Sequence, residues 1–109
     1  MPLGYESTIY CDRSKETLEE IMHEAVNQYL SSNPKVSVIE RSNQFIKLKI
    51  PLSLKSWGEK MNILVKEKSF LIRSESSTSL QGYDWGKNHN NVRAMYTCLE
   101  IAILDYKER

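Results

Sequence analysis

A chain of 109 residues, 40% hydrophobic and 27% charged, has the size of one domain and enough apolar content to bury a core without disulfide or metal staples. This excludes a largely disordered chain. The net charge of +1 speaks against a dedicated nucleic-acid binder, yet residues 1–34 carry −4, residues 35–75 carry +5 and the remainder is neutral, so basic character gathers in the middle third.

Glu6–Cys11 is β-prone, with Ile9 and Cys11 alternating with Thr8 and Tyr10. In D-R-S-K-E-T-L-E-E, Ser14 or Asp12 can cap a helix, and Glu16, Glu19 and Glu20 suit its positive N-terminal end. Leu18, Ile21, Met22, Ala25, Val26, Tyr29 and Leu30 then mark one helical face, which S-S-N-P terminates at Pro34. Val36–Arg41 reads as a strand and R-S-N-Q as a turn. Phe45–Ile50 alternates strictly, Ile46, Leu48 and Ile50 opposing Phe45, Lys47 and Lys49. P-L-S-L-K-S-W-G-E is a long connection, ended by Trp57-Gly58. Met61–Lys66 and Phe70–Glu75 form a pair joined by a short E-K-S hairpin. A polar loop with two glycines leads to a helix from about Asn88, whose apolar face is Val92, Met95, Tyr96, Leu99, Ala102, Ile103 and Tyr106.

The order β-α-β-β-β-β-α predicts a single α+β domain over residues 1–109. Short turns between sequential strands make the sheet antiparallel, with four to five strands. Two helices with one apolar face each predict a two-layer sandwich with both helices on one sheet face. The opposite face would then show Phe45, Lys47, Lys49, Asn62, Leu64, Lys66, Leu71 and Arg73.

No apolar run approaches the ~18 residues of a membrane span, and M-P-L-G-Y-E-S-T-I-Y lacks the charged-then-apolar design of a signal peptide. A cytoplasmic protein without membrane association is expected. Cys11 and Cys98 are the two cysteines, and a bridge would require strand and helix to bring them together. No Cys/His ligand spacing occurs, so neither a metal nor a cofactor is expected. Trp57 and Trp85 each precede a glycine in a loop, as lids over the core edge or as contact residues at an interface.

In residues 70–93, Arg73, Ser74 and Ser76 end a strand, Gly82 and Tyr83 stand in the loop, and Asp84, Gly86 and Asn88 open the helix. This pattern resembles an uncharacterised domain family of bacteria and plastids, whose signature is a strand ending R-S-x-S, a short loop with Gly and an aromatic, and D-x-G-x-N opening a helix. The resemblance covers about a quarter of the chain and implies a fold element rather than an activity. Read directly, a loop feeding a helix N-terminus with hydroxyls and a lysine is a candidate anion site, formed by Ser74, Ser76, Asp84, Gly86, Lys87, Asn88 and His89. The alternative is a structural cap, with Asp84 or Asn88 accepting amide hydrogens at the helix start.

Three functions follow. The first is a non-enzymatic module that binds a protein partner or a second copy through the open sheet face, the 76–89 loop and the two tryptophans. The second is binding of an anionic ligand or RNA on that face, with Lys47, Lys49, Lys66 and Arg73 on phosphates and Phe45 stacking on a base. The third is a hydrolase or transferase using His89 with the serine cluster; spacing identifies no catalytic residue. His23, one position off the first helix's apolar face, reads as a boundary residue.

Overall fold

The computed structural model describes residues 4–51, 58–76 and 87–107. The elements are β1 (Gly4–Tyr10), α1 (Lys15–Ser32), β2 (Ser37–Arg41), β3 (Phe45–Ile50), β4 (Glu59–Lys66), β5 (Ser69–Ser76) and α2 (Lys87–Lys107), in the expected order. Trp57, Trp85, Asp84 and Gly86, together with Gly82 and Tyr83, lie outside the described residues.

Local chemistry explains the boundaries. Ser14 is the N-cap of α1, its hydroxyl accepting from the Thr17 amide. At the other end Asn33 closes the helix twice: its backbone N–H donates to Leu30 O at 3.2 Å, and its side-chain amide donates to Tyr29 O at 2.8 Å. Pro34 then bars continuation. Between β4 and β5 the turn is Glu67-Lys68, with Lys68 in the left-handed region at φ 54°. The Cys11 N–H donates to Lys68 O at 2.9 Å, pinning this turn to the end of β1. The Lys68 ammonium also pairs with Asp12, which lowers the carboxyl pKa and raises that of the lysine. Both groups are exposed, so the pair adds little to stability.

The five strands form one antiparallel sheet in the order β1-β5-β4-β3-β2. The chain's first strand therefore sits at one edge, beside the last. The other edge, β2, is exposed along its length and carries a register shift between Val38 and Glu40; such an irregularity discourages further strand pairing. Both helices pack on one face of the sheet and against each other. Between the layers lie Ile46, Leu48, Met61, Ile63, Phe70 and Ile72 from the sheet. Leu18, Ile21, Met22, Val26, Met95 and Leu99 face them from the helices, all essentially inaccessible to solvent. Outside the core, the Tyr106 hydroxyl donates to Glu20 at 2.6 Å and ties α2 to α1. Cys11 is buried and Cys98 half-buried, and both are free thiols.

Tyr29 is buried on α1, and its phenol is pushed up to about 12 from an ordinary 10.0, first by burial and then by the charges of Cys98 and Glu59. The folded state thus holds the proton more tightly than the unfolded chain. Its stabilising contribution is complete below pH 10 and is lost as pH rises toward 12, by about 2 kcal/mol. Denaturation at stepped alkaline pH should show this decline, and Tyr29→Phe should flatten it. An unchanged slope in that variant would remove Tyr29 as the source.

Candidate functional site

The register defines the open sheet face row by row. One row runs Tyr10, Ser69, Lys66; the next runs Thr8, Leu71, Leu64, Phe45. The third is Glu6, Arg73, Asn62, Lys47, Glu40, and the fourth is Gly4, Glu75, Lys60, Lys49, Ser37. All the residues expected on this face are there, half-buried or exposed. An apolar row thus lies between charged ones.

Charges of both signs share these rows, Glu40 standing across the ladder from Lys47 and Glu75 from Lys60. Arg73 is neutralised locally, pairing with Glu6 at 3.3 Å and Glu75 at 3.7 Å. This reduces its role from the free phosphate contact expected to a link between β1 and β5. Lys47, Lys49, Lys60 and Lys66 make no ion pair among the described residues and share the two strands β3 and β4. Lys60 joins them because β4 begins at Glu59, two residues before the Met61 start that apolar alternation predicts. Lys49 and Lys60 stand directly opposite across the ladder, and like charges in that position are destabilising.

On the helix side, the strand-to-helix region holds a buried polar cluster. Glu59 is fully buried at the start of β4, where Gly58, at φ 95°, turns the chain in a way that side chains resist. The Asn91 side-chain amide donates to Glu59 Oε1 at 2.9 Å and to Ser74 Oγ at 3.2 Å. Ser74 donates to Asn88 Oδ1 at 2.8 Å, and Asn88 donates to Ser76 Oγ at 3.4 Å. Glu59 Oε2 has no hydrogen-bond partner among the described residues.

Of the residues expected in a loop site, Ser74, Ser76 and Asn88 are therefore brought together, joined by Glu59 and Asn91, which the sequence reading missed. Lys87 is the first residue of α2. His89 goes elsewhere. It is exposed, its ring meets Tyr5 edge-on at 4.6 Å, and it lines a cleft of about 320 Å³ between β1 and α2 with Ser7, Arg93 and Tyr96. The Ser74 hydroxyl donates to Asn88, while Ser77, Thr78 and Ser79 of the expected serine cluster lie outside the described residues. His23 approaches Arg41 at 3.5 Å across the α1–β2 contact, in a structural setting.

Among the described residues, no helix is long and apolar enough to cross a membrane. No family model matches this chain, and no curated protein matches it in sequence. Solved structures do. A TBP-like protein from Parabacteroides distasonis is similar over 94% of this chain and 93% of its own, with a TM-score of 0.63 at 11% identity. The vertebrate conserved region of human METTL16 is similar over 94% and 98%, with a TM-score of 0.56 at 7% identity. At such identities the likeness is one of fold: this α+β sandwich, with its five-stranded antiparallel sheet, is an architecture that solved proteins share.

Proposed function

We propose that this chain is a binding domain rather than a catalyst, that it works through the open face of its sheet, and that its partner is anionic. The observation that carries this reading is the set of four lysines on β3 and β4 without ion-pair partners among the described residues. Of the face's acids, Glu6 and Glu75 pair with Arg73, and Glu40, across the ladder from Lys47, makes no ion pair among the described residues. A second copy docked on this lysine patch would set like charges together, which favours a partner of opposite charge over self-association. The opposed Lys49–Lys60 pair costs stability, and an anion laid across it would relieve that cost.

Lys49→Glu separates the two roles. The glutamate would face Lys60 across the ladder, raising stability by about 0.2–1 kcal/mol. The same variant should bind polyphosphate about ten-fold more weakly, and wild-type affinity should fall steeply with salt. Amide shifts on titration with polyphosphate should cluster on β3 and β4. Binding that ignores salt, or shifts gathered on α2, would overturn the reading.

A further inference from the structure

Resting on that reading, we infer that the anionic partner is a single-stranded nucleic acid, laid across the open face with its phosphates on the β3–β4 lysines and its bases on the neighbouring apolar row. The lysines alone would suit any polyanion. What narrows the class is the row beside them: Phe45, Leu64 and Leu71 lie side by side across three strands, between Lys66 on one flank and Lys47 on the other. A partner that fits must alternate charge with flat apolar groups. A single strand does so in every unit, because each nucleotide carries one phosphate and one base with a π-face. An acidic peptide or polyphosphate supplies the charge without the flat groups. A duplex supplies the phosphates and keeps its bases stacked inside.

The aromatic residues support this. Tyr10, at the end of β1, is 83% exposed although the register places it in the row of Ser69 and Lys66. A tyrosine so exposed adds little to the core. Phe45 is half-buried on β3, on the far side of Lys66. Two rings thus flank a lysine on one sheet surface, an arrangement that suits base stacking beside phosphate contacts. Along β3, Lys47 and Lys49 are two residues apart, about 6.8 Å on an extended strand, so they meet successive charges of an extended polymer.

Fluorescence anisotropy on the intact chain tests this with four probes: oligo-U of about 12 nucleotides, within the span that single-strand domains cover, a duplex of the same length, polyphosphate, and polyglutamate. The expected order places the single strand about ten-fold or more above the other three. With four lysines engaged, the slope of log K against log salt should be about −3. Tyr10→Ala should weaken oligo-U about ten-fold, as loss of one stacked base does, and leave polyphosphate unchanged. Lys49→Glu should weaken both. Equal affinity for oligo-U and polyphosphate would overturn the nucleic-acid inference and leave the anion reading standing. So would a preference for polyglutamate or duplex. Absence of binding to all four would overturn both. Tyr10 is exposed enough for its alanine variant to fold, and an unchanged melting curve confirms the comparison.

Discussion

Replacing Asn91 by alanine is expected to cost about 3–5 kcal/mol, far more than one hydrogen bond returns. Glu59 is fully buried, and Asn91 gives it the one hydrogen bond described, at 2.9 Å to Oε1. Without that amide neither carboxylate oxygen has a hydrogen-bond partner among the described residues, and Ser74 loses a donor in the same step. The cost belongs to the charge left behind, so it should shrink when the charge goes too. The double variant Glu59→Gln/Asn91→Ala should therefore be more stable than Asn91→Ala alone. Urea denaturation of the two variants decides it. If the double variant is the less stable, Asn91 does not act by holding the Glu59 charge.

A loss of similar size awaits Phe70→Ala. Phe70 is inaccessible to solvent on β5, in a row with Ile9 and Val65 facing the helices. Truncating a phenylalanine in such a place removes its transfer free energy and leaves a cavity, about 3–5 kcal/mol together. Set against a total stability of about 5–15 kcal/mol for an ordinary domain, that is a large fraction. The melting temperature should drop by more than about 10 °C, while Phe70→Leu, which refills most of the space, should lose less than half as much. A drop of only a degree or two would mean that the two layers do not close over this ring.

The core was legible in the sequence because periodicity reports it directly. Leu18 to Tyr29 and Val92 to Ala102 repeat at helical spacing, and Ile46 to Ile50 alternates; these residues are buried. The open face followed as the complement of that pattern. Glu59 escaped because a glutamate after Trp-Gly reads as part of a turn. Its signal was the alternation of Met61, Ile63 and Val65, which extends back to Glu59 without a break in phase. Asn91 escaped because it is polar, although it continues the α2 face of Met95 and Leu99 toward the helix start. Apolar periodicity cannot register a position where burial is satisfied by hydrogen bonds rather than by hydrophobicity. Strand order was equally out of reach, since hairpin spacing fixes β2 to β5 as neighbours and leaves β1 free to join either edge. The ion pair of Arg73 with Glu6 exists because β1 takes the β5 side.

That placement of β1 also sets an order of events in folding. Strands β2 to β5 are a meander whose neighbours are adjacent in sequence, so they pair through local connections. Ser7 must find Ile72, a closure spanning more than half the chain, and such contacts form late. During synthesis the first strand would leave the ribosome before its docking site existed, with only α1 to pack against. Until it docks, the β5 edge offers unpaired backbone groups to any passing strand. Deleting β1, Gly4–Tyr10, would make that transient exposure permanent, and precipitation rather than loss of binding would be the first sign.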